Sequence, residues 1–398
     1  ILEKLSEKVD AKDARTLKKI AMTAMTGKGA ESAKEHLAEL SVKAIKRVMH
    51  EDGIDLDDIK IESKVGSFIT DSELIEGIVL DKEKVHPGMP DYVENARILL
   101  IDAPIELRET EMDTKISITN PEQMEEFLDM EERMLTGLVN SITEVGANVV
   151  LCQKGVDDLA AYHLAKAGVL VIRRVSKSDM EKLVKATGAT IISDLKDAKK
   201  AILGKANDVE QVKVGDEQMI FIEGCRHPRA VTMLVRGGTE HVVEEVRRAV
   251  TDAVGDLRAA LLSRKIVSGA GAVEVALARR LQRYAKSLSG REQIAVERYS
   301  NALLAIPRTL AENAGLDPID IMADLHNAHT KTVHAGIDVY TGQVINSWNK
   351  GVIEPLRIKT QALSSATDVA TMILRIDDVI SNDQTTADQP AMPPMEGM

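Results

Sequence analysis

Aromatic side chains are scarce in this sequence of 398 residues, where one Trp, five Tyr and three Phe make up 2% of the chain. Proteins that bind single strands of nucleic acid stack the bases on such side chains, so the scarcity argues against that class of protein. The core must be built from Ala, Val, Ile, Leu and Met. Sixteen Met and 29% charged residues are typical of a protein rich in helices and aliphatic strands.

Cationic residues are outnumbered, since 51 Lys and Arg stand against 63 Asp and Glu and give a net charge of −12. Affinity for a phosphate backbone depends on clustered cations, so we expect no nucleic-acid partner. No apolar run approaches the roughly 18 residues of a membrane span, and no signal peptide is visible. We therefore expect no membrane partner.

Metal-binding and disulfide patterns are also missing. Cys152 and Cys225 lie far apart without a C-x-x-C motif, which supports neither a disulfide framework nor a cysteine zinc site and favours a cytoplasmic location. His326, His329 and His334 are the only histidines whose spacing suggests a metal, but a pair three residues apart beside a loop is more typical of a helix end. We predict no metal site among them.

The two ends of the chain have the apolar spacing of helices, whereas the middle alternates between strands and helices. Three-to-four spacing predicts helices in residues 1–50 and again after Gly238. Between these parts, strands that are apolar on both faces alternate with helices, which indicates a largely parallel sheet covered on both sides. An α/β domain inserted into a helical one is therefore expected. The predicted strands are 98–101, 149–152, 169–172 and 190–192.

Individual residues place several element boundaries. Asn120 as a cap and Pro121 at the first helical position predict a helix that runs to Gly146. Gly215 and Asp216 predict a hairpin turn. The remaining predicted elements are the hairpin 211–223, helices 240–262, 274–288, 291–314, 319–329 and 355–379, a short β stretch 339–353, and a disordered tail.

The helix predicted at Asn120 has two interpretations. One is an ordinary amphipathic helix. The other is a projecting tip whose Met124, Met130 and Met134 contact other chains or client proteins, since Met adapts to varied apolar partners.

Glycine clusters suggest where a phosphate would bind. Residues 26–29 lack the upstream Gly and the final hydroxyl of G-x-x-x-x-G-K-[ST], so a standard P-loop is not predicted. Residues 267–272 lead from an extended pair into a helix, where backbone N–H groups approach an anion at the positive helix end. Tight helix packing is the alternative interpretation of that loop.

Asp252 lies at the edge of the apolar stripe of its predicted helix, about 80° away from it at 100° per residue. A carboxylate at such an edge is either solvated or faces a cleft. The sequence contains neither G-x-S-x-G nor G-x-G-x-x-G, so hydrolase-elbow and dinucleotide-binding interpretations lack support.

Longer strings spread over nearly the whole chain resemble the archaeal group II chaperonins, the thermosome family. These strings are DKEKVHPGMP at 81–90, VGANVV with QKG at 145–155, VRGGTE at 235–240, IPRTLAENAGLDP at 306–318 and MILRIDD at 372–378.

The resemblance implies a multidomain α plus α/β fold with a helical equatorial domain, a small intermediate domain and an α/β apical domain with a helical protrusion. The protrusion favours the projecting-tip interpretation of the helix at Asn120. The implied division is 1–25 equatorial remnant, 26–75 intermediate, 76–237 apical with the protrusion at about 112–140, 238–268 intermediate, 269–382 equatorial and 383–398 disordered tail.

The resemblance also implies a function. The family encloses unfolded proteins in a ring chamber with a built-in lid and couples ATP hydrolysis to closure and folding. The implied cofactors are ATP and Mg²⁺. The implied partners are unfolded clients and identical or paralogous subunits in a double ring, in the cytoplasm.

The resemblance also implies which residues form the site, by their positions along the chain. Asp252 corresponds to the aspartate that orients or activates the attacking water. The residues implied to bind the nucleotide are Gly269, Ala270 and Gly271 in the glycine loop, Asp338, Glu354 and Lys359 near the adenosine, and Thr26, Gly27 and Lys28 near the phosphates.

Two departures from the family pattern bear on activity. Ala270 replaces the middle glycine of the loop, and its Cβ resists positive φ or a very close backbone approach. The Gly-Asp-Gly-Thr-Thr loop that holds phosphate and magnesium in the family is absent from these residues, and we expect it upstream of Ile1, in an N-terminal part of the equatorial domain. A truncated, ATPase-inactive protein that only holds clients is therefore the alternative function.

Overall fold

The structure is a computed structural model that describes residues 1–50, 53–106, 121–225 and 229–378. Its helices are α1 Leu2–Leu5, α2 Ala14–Met25, α3 Lys34–Val48, α4 Pro121–Val145, α5 Asp158–Lys166, α6 Lys177–Thr187, α7 Glu240–Ser263, α8 Ala272–Ala285, α9 Gly290–Leu303, α10 Ala305–Asn313, α11 Pro318–Ala328, α12 Ser347–Lys350 and α13 Leu356–Ile373. Its strands are β1 Glu7–Lys8, β2 Met49–His50, β3 Gly53–Ile54, β4 Ile59–Val65, β5 Glu73–Ile75, β6 Gly77–Leu80, β7 Tyr92–Ile101, β8 Val149–Cys152, β9 Leu170–Ile172, β10 Ile191–Ile192, β11 Gly204–Val214, β12 Glu217–Glu223, β13 Val231–Gly237, β14 Lys265–Ser268, β15 Ala335–Asp338, β16 Gln343–Asn346 and β17 Ile353–Pro355.

The middle of the chain forms a seven-stranded sheet in the order β6-β12-β11-β7-β8-β9, with β10 also paired to β7. The parallel arrangement predicted for the apolar strands is confirmed, because β7 pairs in parallel with β8 and β10, and β8 with β9. The other half of the sheet is antiparallel and includes the predicted hairpin, with Gly215 in its turn at φ +68°. This hairpin begins at Gly204, seven residues before residue 211, where the alternation of apolar residues predicted its start.

Helix α7 connects this α/β block to the helical part of the molecule. The Thr239 hydroxyl accepts a hydrogen bond from the Val242 N–H at 3.3 Å and caps the helix start. The predicted apolar stripe is buried from Val246 to Leu257, against α2, α3 and the sheet β4-β13-β5. The opposite edge of α7 remains free to face a cleft.

Two predicted elements of the C-terminal part were wrong. The single helix at 291–314 is divided into α9 and α10, because Pro307 has no N–H and its ring clashes with the carbonyl of Leu303 four residues earlier. The β stretch 339–353 is a hairpin, β15-β16, followed by the short helix α12 and by β17.

Residues 1–50 are mainly helical as predicted, but the short strand β1 pairs with β14, which in turn pairs with β17. The residues Asn120 and 379–398, with the predicted cap and tail, lie outside the described residues. No helix in the described ranges has the length and apolarity needed to cross a membrane.

Candidate functional site

A cavity of about 410 Å³ lies between α2, the β15-β16 hairpin and β17. Four of the predicted site residues line it: Thr26, Ala270, Asp338 and Glu354. The other lining residues are Met22, Thr23, Lys34, Leu310, Ile337, Val339, Tyr340, Ile345, Lys350, Gly351 and Val352. Its wall is therefore apolar on one side and carries a few polar and cationic groups on the other.

The glycine loop between β14 and α8 is held closely by its neighbours. The Gly269 N–H donates to the Val352 carbonyl at 2.9 Å, and the Ala270 carbonyl accepts from the Ile337 N–H at 3.0 Å. A Cβ at Gly269 would lie 2.6 Å from a carboxylate oxygen of Glu354, so a larger residue there would displace the Glu354 side chain. Gly271 caps the start of α8 in the left-handed conformation at φ +78°.

Ala270 adopts φ +55° in this loop, the conformation that its Cβ was expected to resist. A residue other than glycine in the left-handed conformation destabilises the folded state by roughly 1–2 kcal/mol. Replacing it by glycine removes this strain, but part of the gain is offset because glycine loses more conformational entropy on folding. Replacing Ala270 by Gly is therefore expected to raise the free energy of unfolding by about 1 kcal/mol. Denaturant unfolding of the wild type and of Ala270→Gly measures this difference in the free energy of unfolding.

The matched control for that change is Ala366→Gly on the exposed side of α13, which has ordinary helical backbone. The same substitution there should lower the free energy of unfolding by about 1 kcal/mol. Two changes of the same sign would contradict the assignment of strain to Ala270.

Lys359 does not line the cavity but lies between two carboxylates. Its Nζ is 2.8 Å from Glu274 Oε1 and 2.8 Å from Glu354 Oε2. Burial alone lowers the pKa of Lys359, but the charges of Glu354 and Glu274 outweigh it and raise that pKa. Glu274 is only 3% exposed. Lys359 thus fixes the orientation of Glu354 at the cavity wall.

The turn after α2 carries the other predicted phosphate-side residues. Gly27 is left-handed at φ +77°, and Gly29 approaches α7 so closely that a Cβ would lie 3.2 Å from Glu245 Cβ. Across this contact Lys28 forms an ion pair with Asp252. The Asp252 side chain is 57% exposed, so it is open to solvent at the edge of α7.

Asp338 is held by its own turn. Its carboxylate accepts from the Tyr340 N–H at 3.0 Å and the Thr341 N–H at 3.3 Å. Burial acts to raise the pKa of Asp338, but these hydrogen bonds together outweigh it and the pKa is lowered. The turn presents Tyr340, whose hydroxyl donates to Glu31. Glu31 in turn pairs with Lys34 Nζ at 2.7 Å.

A further acid, Asp256, lies one turn after Asp252 on α7. Burial, followed by the charges of Glu354 and Asp252, raises its pKa to about 7. It is half-buried. The site therefore contains a carboxyl group that titrates near neutral pH.

Residues 1–384 match the TCP-1/cpn60 chaperonin family. The chain belongs to this family. It is 57% identical over 386 residues to a thermosome subunit of Methanopyrus kandleri and 56% identical to thermosome subunit beta of Archaeoglobus fulgidus, covering 96% of this chain and 71% of each relative. The open-state monomer of a group II chaperonin from Methanococcoides burtonii superposes with a TM-score of 0.67 at 45% identity, covering 94% of this chain and 89% of that one.

These matches confirm the predicted family and the predicted chaperonin fold. Membership in a chaperonin family also confirms that the chain is a molecular chaperone subunit and favours this function over the holdase alternative.

Two of the three clustered histidines of this chaperonin bind backbone groups, and the third, His334, contacts the Ser268 hydroxyl. The ring nitrogens of His326 and His329 donate to the carbonyls of Met322 and Ala335, each at 2.8 Å. Within the described ranges, no group of three or more His, Cys, Asp or Glu side chains is arranged to hold a metal ion.

Sequence reasoning missed several residues of the chaperonin site. Glu31 and Tyr340 are 309 positions apart, and nothing in either sequence neighbourhood indicates their contact. Glu274 lies within a predicted helix, and nothing in its sequence neighbourhood indicates its contact with Lys359. Asp256 had a usable signal, because a residue four positions after Asp252 must share its helix face.

Proposed function

We propose that this chain binds ATP in the cavity between α2, the glycine loop and β17, and that hydrolysis drives closure of a chaperone chamber around unfolded proteins. The observation that carries the proposal is the ion pair between Lys28 and Asp252. It brings a water-orienting carboxylate on α7 to the phosphate-side turn beside a nucleotide-sized cavity.

The cavity fits a nucleotide in size and chemistry. Its volume of about 410 Å³ lies within the range of ordinary ligand pockets. Met22, Leu310 and Ile345 offer apolar contacts for a base, and the Glu354 carboxylate offers an acceptor for ribose hydroxyls. Lys34 and Lys350 supply positive charge.

Phosphate oxygens have donors on the α8 side of the cavity. The start of α8 at Gly271 has no side-chain cap, and its first-turn backbone N–H groups form the positive end of a helix. The closely packed Gly269 and the left-handed Gly27 let the backbone approach an anion without side-chain interference.

Magnesium neutralises the β- and γ-phosphates when it is bound to ATP. The described residues provide no cluster of carboxylates for it. We therefore assign no magnesium ligand in this chain and no step to the ion.

Asp252 is the proposed catalytic residue. An exposed carboxylate, held in place by Lys28, accepts a hydrogen bond from the attacking water and aligns it with the γ-phosphorus. Lys359 acts indirectly, because it positions Glu354.

Client contact is proposed for the apolar side of α4. Met130 and Met134 are 52% and 56% exposed, and Met side chains adapt to varied apolar partners. The other proposed partners are identical or paralogous subunits in a double ring, in the cytoplasm.

The proposed domain division has boundaries at about residues 25, 75, 237 and 268. Separate apolar cores support an apical and a C-terminal unit, whereas the core that joins α2 to α3 and α7 crosses the boundary at residue 25. One core lies entirely between Ile78 and Ala230. Another joins α2, α3 and α7, and a third joins α8, α10, α11 and β15.

Refolding of a chemically denatured client enzyme tests the proposed function. With the full chain present, ATP is expected to restore client activity, whereas a non-hydrolysable analogue is not. Met130→Glu/Met134→Glu should weaken client capture and leave hydrolysis unchanged, because neither residue lies at the nucleotide cavity. Equal protection of the client with and without nucleotide would favour a holdase instead.

A further inference from the structure

The acidic groups around the nucleotide cavity outnumber the cations that neutralise them. Asp252 pairs with Lys28, and Lys359 is shared between Glu274 and Glu354. Asp256 has no such cation. It forms no hydrogen bond or ion pair with any residue that the structure describes.

Asp256 nevertheless lies inside this charge cluster. Helix α7 packs there against β17 and α13. The charged groups that act on Asp256 are Glu354 from β17, Asp252 from its own helix, Lys28 from the phosphate-side turn and Lys359 from α13. Because Lys28 and Lys359 pair with the other acids, Asp256 is the acid of this cluster that has no ion-pair partner among the described residues.

We propose that Asp256 is a positioning residue that serves as the proton acceptor behind Asp252 during ATP hydrolysis. This inference rests on the proposed function. In the step, the water oxygen forms a bond to the γ-phosphorus as the bond to the ADP oxygen breaks, and ADP takes that electron pair. The water proton passes to Asp252 and then to Asp256, which releases it to solvent.

The geometry of α7 supports this route. Residues four apart on a helix have Cβ atoms about 5–6 Å apart on one face, so one water molecule can bridge two carboxyl groups there. A Cβ added at Gly255 would meet no described atom within 4 Å, so the helix surface beside Asp256 has room for solvent.

The two acids have complementary properties. Asp252 is exposed and forms an ion pair with Lys28, which suits it to orient water. Burial and neighbouring acids raise the pKa of Asp256 to about 7, and an acceptor works best when its proton affinity matches the working pH.

The pH dependence of hydrolysis tests the proposal. In the wild-type protein, kcat should rise with pH through a limb near pH 7, since Asp256 must be ionised to accept the proton. Asp256→Asn should lose that limb and slow kcat on the order of 10²-fold, whereas Asp256→Glu should retain a displaced limb and most of the rate. Glu244→Gln, a surface change on the same helix, should match the wild type.

Four outcomes overturn the inference. An unchanged pH profile in Asp256→Asn, in a protein whose hydrolysis still requires Asp252, overturns it and leaves the proposed function intact. Hydrolysis that does not require Asp252, or no hydrolysis by the wild type, overturns both. If Asp256→Asn does not bind nucleotide in a thermal-shift assay, the pH profile of Asp256→Glu tests the proposal instead. A limb in that variant at the same pH as in the wild type contradicts the proposal.

Discussion

Replacing Asp252 by Asn is expected to slow ATP hydrolysis by about 10²–10⁴-fold while nucleotide binding is retained. The substitution keeps the size of the side chain and removes the charge that orients the attacking water. Asp252 does not line the nucleotide cavity, and its side chain is exposed, so neither affinity nor folding should suffer. Phosphate release measures the rate, and equilibrium binding of a fluorescent nucleotide measures the affinity.

The control for this change is Glu244→Gln, which removes another exposed carboxylate from α7 and breaks only a surface pair with Arg247. That variant should hydrolyse ATP at the wild-type rate. A wild-type rate in Asp252→Asn, or equal loss in both variants, would remove Asp252 from the mechanism.

Replacing Lys359 by Met is expected to destabilise the chain by about 3–5 kcal/mol, the usual cost of removing one partner from a buried ion pair. Its ammonium neutralises Glu274 and Glu354, and Glu274 has one carboxylate oxygen without another partner among the described residues. The same substitution at Lys265, which pairs with exposed Glu3, should cost about 0–1 kcal/mol. Denaturant unfolding of the two variants makes the comparison.

The difference in free energy of unfolding between the wild type and Lys359→Met should shrink as the pH falls from about 7.5 to 5. Without the ammonium, the two carboxyl groups hold protons more tightly in the folded protein than in the unfolded chain. The folded state then binds more protons, and lower pH favours it. A difference that is constant over this range would mean that lost packing, rather than unpaired charge, causes the instability.

The periodicity of the chain predicted its local structure well. Strands β8 and β9 and the last four residues of β7 were recognisable because a strand buried on both faces is apolar throughout, whereas the polar first half of β7, residues 92–97, was not predicted. Helix α7 was recognisable because its apolar stripe continues over most of its length. Pro307 carried the signal for the break between α9 and α10, but helical spacing continues on both sides of it. Strand β1 has only two residues, too few for alternation to be visible.

The candidate site was predictable where one residue sets its own geometry. The conflict between a Cβ and positive φ at Ala270 could be stated from the residue type alone. The partners of Lys359 could not, because Glu274 and Glu354 reach it from separate elements, and their meeting depends on how α8, β17 and α13 pack. The ion pair of Lys28 with Asp252, which are 224 positions apart, could not be predicted for the same reason.

Helix α7 is 24 residues long, or about 36 Å at 1.5 Å per residue. It begins directly after β13, beside the seven-stranded sheet block, and ends at the strand that leads into the glycine loop. Asp252 lies near the midpoint of this helix, so a rotation of the whole helix about one end would move Asp252 about half as far as the other end. A 10° rotation about the end nearest the glycine loop would move the other end by about 6 Å, so a shift of about 3 Å at Asp252 corresponds to twice that displacement where the α/β block is attached.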